Sequence, residues 1–596
     1  MKRPVRSISQ SLLGKADLWR ALALALVVGL LWCMVLDRWS VAAWSTPLEY
    51  TGDAAKSDGI LGFASIKAAS ENRYWPLRFK TVPELGAPFG AQWNDFPSIE
   101  ELLTFIPGML AKILGVFAAT NVTTMMAHVL AALGMFIAGR LLRIGWPWAF
   151  AVGIAYGFSQ FAFAHGEHHL TVAYYWHVPL CLIVCRWLTV GEGLVMRGWR
   201  LWFSLAVGFV TGLQNVYYTF MFGQLVALGG LVQWMRTRKW HETLPALAIC
   251  FAAFSAFILM NVDTFGYRLL NGPNAGAVVR NYQWMEFYAL KIVDLFIPFP
   301  GHGFFSGLAQ QYFSHVMIPG EDPPPSYLGI VGIAGLILLA MVTFARLVKS
   351  ERIPLEAAQT LWIIIFSTVA GLNCLLGVFG FQLFRAGTRY SIFILALALL
   401  YLARRLSALT KNEPMGALIA AGMFALVAVW DETPPFTTDA QIAQVAQAVA
   451  SDKTFTEQIE SRLPVGAMVF QLPIIDFPES PVAGVSGYDH FRPYLFSKHL
   501  RYAFGTVKGR LRDDWPHDLA GLSLPQAVDL LERYGFSALY VNRAGFQDKG
   551  EGVLKALNEL GRGDLVQSPA GDLFCVFLHP SPMPALPVRR STIPAS

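Results

Sequence analysis

Residues able to do chemistry gather at four places in the chain. The first is 50-YTGDAAKSDGILGFASIKAASEN-72, where Asp53 and Asp58 follow directly on the first apolar run. A carboxylate there can take the proton of an attacking hydroxyl, typically a gain of ~10²–10⁴ in rate. Asp53 can equally be the N-cap of the helix that follows, accepting from its free N–H groups. Asp58 falls off the same helical face and reads as a solvated polar residue. Further along the same loop, Asp95 precedes Phe96-Pro97. It is either a second acid turned to the site or an Asx-type turn residue. Ser98 and Glu101 form a capping box, and the role of Glu100 is open.

The second place is 165-HGEHHL-170. His165 and His169 have the i, i+4 spacing with which two imidazoles can share a metal ion. Glu167 and Asp53 would then supply oxygens, and the ion would be divalent, Mg or Mn. Without a metal, His165, Glu167, His168 and His169 are phosphate or sugar contacts, or plain interfacial polar residues. The third place is 384-FRAGTRY-390. Arg385 and Arg389 stand at the outer end of an apolar segment, against the trend of the other bases. Two guanidiniums so placed can clamp a phosphate, or they can snorkel to lipid headgroups. The fourth is Gln214, Asn215, Tyr217 and Tyr218, a polar cluster able to line a sugar pocket. Tyr282, Trp284, Glu286 and Tyr288 can stack on a sugar and hydrogen-bond it, or form an interfacial aromatic belt, and the belt is the favoured reading.

The elements that position these groups follow from composition. The chain has 596 residues, 55% hydrophobic and 14% charged, with mean hydropathy +0.45. A soluble domain carries about a quarter charged residues. About eleven apolar segments suit membrane spans, centred near residues 30, 130, 155, 180, 207, 226, 252, 337, 367, 396 and 423. Bases recur between them at Arg140/Arg143, Arg186/Arg197/Arg200, Arg236/Arg238/Lys239, Arg346/Lys349/Arg352 and Arg404/Arg405. By the positive-inside rule these turns and the N-terminus are cytoplasmic. The basic N-terminal stretch and first apolar run then read as an uncleaved anchor, not a signal peptide. Three outer segments remain: residues 44–100, 263–326 and everything after about Asp431. Residues 1–431 are expected to form the transmembrane domain and 432–596 an extracytoplasmic α/β domain. The latter shows strands at 466-GAMVFQLPI-474 and 572-DLFCVFL-578. Between them, 524-LPQAVDLLERYGFSALYVNR-543 reads helix, glycine stop, buried strand, and 553-VLKALNEL-560 reads helix. In the first loop, Ile60, Leu61, Ala64 and Ile66 suggest an amphipathic helix lying on the membrane surface.

Several classes are disfavoured. The chain contains no GxxxxGK[ST] and no strand–GxGxxG–helix, so no nucleotide cofactor is signalled. Gly329, Gly332 and Gly335 lie in an apolar run and read as helix packing. The net charge of +6 suits basic inner loops and gives no reason to expect a nucleic-acid partner. The six cysteines form no close CxxC pair. The apolar segments hold almost no ionisable group besides His128 and His177, which argues against ion-coupled transport.

The order of features resembles the GT-C superfamily of integral-membrane glycosyltransferases, in particular a poorly characterised bacterial branch. The phrases that carry the resemblance are 52-GDA-54, 85-LGAPFGAQWNDFP-97, 165-HGEHHL-170, 385-RAGTRYSIF-393 and 488-YDHFRPYLFSKHLRYAFGTVKGR-510. It extends in order over most of the chain. It implies a GT-C-like bundle in the bacterial inner membrane, a polyprenyl-phosphate-linked sugar donor, and inversion at the anomeric carbon. The acceptor would be an envelope glycan, lipid or protein. It also implies that Asp53 corresponds to the catalytic acid. Tyr488, Asp489, His490 and Arg492 match the branch motif, either as acceptor contacts or as residues holding the outer domain to the membrane. Two other classes compete: a transporter or flippase of lipid-linked sugars, and a non-catalytic envelope-assembly protein.

Overall fold

The protein is described by a computed structural model over residues 14–50, 58–96, 100–190, 198–318, 320–321 and 324–588. Asp53 and the Ser98 of the expected capping box lie outside these residues.

Each of the eleven apolar centres falls within a helix. Among the described residues, seven helices are long and apolar enough to cross a bilayer: Lys15–Val35, Val116–Leu141, Val216–Thr237, Trp240–Met260, Gly329–Val348, Gly387–Leu409 and Pro414–Glu432. The chain is a multi-pass membrane protein. The other four centres lie in shorter helices: Trp146–Gly157, Val178–Val190, Trp199–Gly212 and Leu355–Ser367, of 12, 13, 14 and 13 residues. At 1.5 Å per residue each reaches about 20 Å, short of the ~30 Å hydrocarbon core. Two of them stop at breaks followed by a second, shorter helix, Gln160–His165 in one case and Leu372–Val378 in the other. Irregular backbone near a membrane is tolerated where protein or a cavity surrounds it. Both breaks lead into the polar clusters named above.

Close helix packing follows from small residues. A Cβ on Gly335 would lie 2.6 Å from the Ala398 carbonyl oxygen, and one on Gly332 2.6 Å from Leu395 Cδ1. Gly329 does something else. It opens its helix at φ +68°, and a Cβ there would lie 2.2 Å from Glu432 Oε1. Only glycine lets the buried end of the last span fit. There Asp431 accepts from Ile330 N–H (2.6 Å) and Tyr327 O–H (3.1 Å) and contacts His302 Nε2 at 3.3 Å. Glu432 accepts from Gln160 N–H at 2.8 Å. The second outer loop is thereby fastened to the last span and to the break after Gly157. His128 and His177 are buried packing residues, bonded to the Gly157 carbonyl (2.7 Å) and the Thr211 hydroxyl (3.1 Å).

The first outer loop departs from expectation. Its helix Asp58–Ser70 is not laid on a lipid surface; it packs against Glu101–Leu114 and against the C-terminal region. Gly108 allows the first contact, since a Cβ there would fall 2.3 Å from Ala69 Cβ. Lys67 Nζ donates to the Ser497 carbonyl at 2.9 Å, and Tyr494 O–H to Glu71 at 3.1 Å. Ile60, Phe63, Tyr74 and Trp93 share one apolar core with Phe455, Val469, Phe477 and Tyr540.

The loop also contains a short antiparallel pair, β1 (Thr81–Val82) and β2 (Ala91–Gln92). The C-terminal region builds a five-stranded sheet in the order β4-β3-β5-β7-β6. Its strands are β3 (Met468–Leu472), β4 (Arg501–Tyr502), β5 (Phe536–Asn542), β6 (Leu565–Gln567) and β7 (Leu573–Phe577). β3 runs parallel to β4 and β5, and β7 antiparallel to β5 and β6. The expected helix, glycine and strand appear as Leu524–Arg533, Gly535 (φ +86°) and β5, which is buried along its whole length. A 24-residue helix, Asp439–Arg462, precedes the sheet and opens on a capping box of Thr438 and Gln441.

Candidate functional site

The two arginines are set by a knot between the second outer loop and the break after Ser367. Leu290 N–H donates to the Ser367 carbonyl (2.8 Å) and Thr388 N–H to the Tyr288 carbonyl (3.1 Å). A Cβ on Gly387 would lie 2.4 Å from the same Ser367 oxygen, so the strand of chain between the arginines passes where a side chain cannot. Trp284 and Tyr288, stacked at 5.5 Å and 19°, come to lie against Arg385. Its guanidinium sits 5.7 and 5.1 Å from their ring centres. Such contacts hold a cation in place by about 0.5–1 kcal/mol where partly exposed. Arg389 lies over Tyr217 at 4.5 Å and 3.7 Å from Glu321, whose other oxygen accepts from Thr388 O–H at 2.6 Å. Among the described residues, Arg385 has no carboxylate partner.

Opposite them stands the histidine cluster, which follows the Gln160–His165 helix. Asp58 Oδ2 is 3.1 Å from His169 Nε2. Burial would raise the Asp58 carboxyl, but His169, His168 and Arg389 outweigh it and hold it below the usual carboxylate range. Glu167 is the reverse case. Burial pushes it up to about 8 against the pull of the Leu48 N–H and Arg38. It accepts from Leu48 N–H at 2.7 Å, and its other oxygen is buried without a partner among the described residues. Glu100 is pushed by burial up to about 7, against Arg389. The site thus carries carboxylates whose surroundings push their proton affinities apart, Asp58 down and Glu100 and Glu167 up, a separation that lets like groups take different proton roles.

These residues enclose two adjoining cavities. The first, about 400 Å³, is lined by Asp58, His165, His168, His169, Trp284, Tyr288, Glu321, Arg385 and Arg389. The second, about 240 Å³, is lined by Tyr74, Trp93, Phe96, Glu100, Glu167 and Phe477, and shares Asp58, His168 and His169 with the first. Asp58 and His169 therefore stand at the junction. The first volume lies in the range of roughly 300–1,000 Å³ usual for small-molecule sites.

Several expected members are elsewhere. Asp95 lines neither cavity: both its oxygens are held by Arg510, with Arg510 Nη2 to Oδ1 at 2.8 Å, and Asn274 adds a contact at 3.3 Å. It is a fastening between loop and outer domain, because a buried carboxylate needs a cation and the nearest is Arg510. Arg492 donates to Asp452 at 2.7 and 2.6 Å and to Asp572 at 2.9 Å, inside the outer domain. Asp489 accepts from Ser486 (2.7 Å), His490 bonds the Pro473 carbonyl (2.8 Å), and Tyr488 is packed on Phe477. Tyr488, His490 and Arg492 are buried within the domain, and Asp489 is half-buried. Asn215 caps the Val216–Thr237 helix, accepting from Tyr217 N–H at 3.1 Å. Gln214 is buried and lines neither cavity. The metal set does not assemble among the described residues, where no three His, Cys, Asp or Glu side chains stand as a metal site. His165 turns Nδ1 to the Phe161 carbonyl (2.9 Å), and Glu167 turns away to Leu48.

Glu321 is the member that sequence reasoning passed over, while Asp58 is read there as a solvated residue and Trp284 and Tyr288 chiefly as belt aromatics. The signal available was the need of two outer arginines for a counter-charge and of a histidine cluster for an acid.

By its helices and its C-terminal sheet the chain belongs to the class of polytopic helical membrane proteins with a C-terminal α/β domain. No protein-family model matches it, and no curated protein does. Among solved structures it is similar to ArnT from Cupriavidus metallidurans bound to undecaprenyl phosphate, with 12% identity and a TM-score of 0.49, over 96% of this chain and 100% of that one. For the apo state of the same protein the values are 12% and 0.40, over 95% and 98%.

Proposed function

We propose that the protein is a membrane glycosyltransferase of the GT-C type. It moves a sugar from a polyprenyl-phosphate donor to a hydroxyl acceptor of the cell envelope, at the outer face of the inner membrane. The observation that carries this reading is a single cavity with an ionised carboxylate, Asp58, on one wall and two arginines on the other. The donor phosphate lies against Arg385 and Arg389, and its sugar against the Trp284–Tyr288 faces. The acceptor enters by the adjoining cavity. Its oxygen attacks the anomeric carbon from the side opposite the phosphate, the bond from that carbon to the phosphate oxygen breaks, and polyprenyl phosphate leaves with the electron pair. The configuration inverts. The proton passes to a carboxylate of the first loop. Asp53 is the general base in this reading, and Asp58, oriented by His169, completes the acidic wall. The lipid tail runs between helices, which accounts for an enzyme embedded in the bilayer. The N-terminus is cytoplasmic and residues 432–596 form the outer domain.

The test uses the full chain in nanodiscs with radiolabelled polyprenyl-phosphate sugars and an envelope extract. Wild type is expected to move label, and Asp53→Asn to bind donor without moving it. Equal transfer by both would make Asp53 a helix cap and shift the base to Asp58, checked with Asp58→Asn. Donor bound but not consumed by wild type would replace the enzyme with a flippase of the same lipid.

A further inference from the structure

Along the first and last spans, away from the Asp58 cavity, the bundle carries a second cavity system of different chemistry. Its floor is an apolar groove of about 420 Å³ between the Lys15–Val35, Trp146–Gly157 and Pro414–Glu432 helices. The groove exists because the last of these presents Ala421, Gly422 and Ala425 where a larger side chain would fill it. Nothing lies within 4 Å of a Cβ built on Gly422. From Leu418 to Val429 the groove follows twelve helical residues, a rise of about 16 Å at 1.5 Å per residue. That is over half of a ~30 Å hydrocarbon core, long enough to take an extended acyl chain that enters from the pocket end.

At Trp146, Pro147 and Leu418 the groove passes into a wider pocket of about 800 Å³ rimmed by Arg143, Arg404, Lys411 and Thr410. The pocket walls are tied together. Trp148 Nε1 donates to Thr410 Oγ1 at 2.9 Å, and Gly145 N–H to Ser407 Oγ at 2.8 Å. Arg404 is neutralised by Glu356 at 3.0 Å. Arg143 and Lys411 are exposed, and neither has a carboxylate partner among the described residues. A rim with two cations that have no carboxylate partner among the described residues therefore opens onto an apolar slot that runs along the last span. Basic pockets between helices on the cytoplasmic side take anionic lipid head groups.

We propose that this is a binding site for an anionic glycerophospholipid of the inner leaflet, with its phosphate between Arg143 and Lys411 and one acyl chain in the groove. It is separate from the donor site and does not rest on the proposed transfer reaction. The lipid wedges the first span against the last, whose outer end, Asp431–Glu432, fastens the second loop over the Arg385 cavity.

The test is native mass spectrometry of the detergent-purified full chain titrated with palmitoyl-oleoyl phosphatidylglycerol, the same chains on phosphatidylcholine, and undecaprenyl phosphate. One retained phosphatidylglycerol is expected, held at least tenfold more tightly than phosphatidylcholine. The double variant Arg143→Gln/Lys411→Gln should erase that preference. Gly422→Phe, which fills the slot with an unchanged rim, should weaken retention by a similar factor while the protein melts as wild type. Equal retention of the two phospholipids, or retention indifferent to both variants, would overturn the site. Displacement of phosphatidylglycerol by equimolar undecaprenyl phosphate would give the groove to an isoprenoid and overturn the assignment as well.

Discussion

Arg385→Ala is the sharpest probe of the phosphate clamp. Arg385 is oriented by two aromatic faces and is not neutralised by a neighbouring acid among the described residues, so its charge is free for a ligand. Removing Arg389 instead would strip Glu321 of its counter-charge and mix a folding effect with a binding one. A guanidinium about 4 Å from a phosphate contributes ~4 kcal/mol at an effective dielectric of ~20. The residue is part-exposed, which brings the figure to the ~1.5–3 kcal/mol of a charge-assisted hydrogen bond. At 1.36 kcal/mol per decade, kcat/KM for the donor should fall about 10- to 100-fold.

The split between the two constants is informative. In the donor the phosphate is a diester with one negative charge; as the sugar departs it gains a second. The attraction of Arg385 grows toward the transition state, so part of the loss falls on kcat. Arg385→Lys keeps the charge and loses the planar fork, and should lie between Ala and wild type. The assay is label transfer in nanodiscs at varied donor concentration. If Arg385→Ala kept kcat/KM within about twofold while Asp53→Asn abolished transfer, the phosphate would bind elsewhere and the clamp would be wrong.

Two further outcomes follow from the electrostatics. The Glu167 carboxyl is raised by burial to about 8, so the folded protein holds a proton there that the unfolded chain releases above about 4.5. Its contribution to stability is complete below the unfolded value and is lost as pH rises toward 8. Glu167→Gln can still accept from Leu48 N–H, and should melt above wild type at pH 8 and alongside it at pH 4; identical melting at both would show Glu167 ionised in the fold. For the outer fastening, Arg510→Ala leaves Asp95 buried with only Asn274 as donor. A loss of about 3 kcal/mol, the low end for a broken buried pair because Arg510 is part-exposed, is expected as a lower melting temperature and faster tryptic cutting in the C-terminal domain. Asp95→Asn should leave transfer rate unchanged. A large loss of kcat without a change in melting would return Asp95 to the site.

What was legible in the sequence was what depends on local composition. The eleven apolar centres became helices because length and hydropathy are read over a single window. The helix–glycine–strand run at 524–543 appeared as drawn because each signal acts on its own neighbours. Arg385 and Arg389 stood out because bases are unexpected at that end of a span. What was not legible was the choice of partner. Asp58 is unremarkable until the break after Gly157 brings His169 to it. Trp284 and Tyr288 have the composition of an interfacial belt, and only the bond from Thr388 to Tyr288 turns them toward Arg385. Asp95 and Arg492 had the look of site residues for the same reason in reverse: a buried ion pair and a catalytic charge have one sequence signature. The four short helices belong to this class too. Hydropathy registers their apolar length but not the breaks, and it is the breaks that admit polar backbone to the protein interior. A bundle of eleven uninterrupted spans could not place Asp58 opposite Arg385. The interruptions after Gly157 and Ser367 carry the histidines and the arginines into one cavity, and the cost of their irregular backbone is offset by the Asp431–Glu432 fastening and the Gly387 contact.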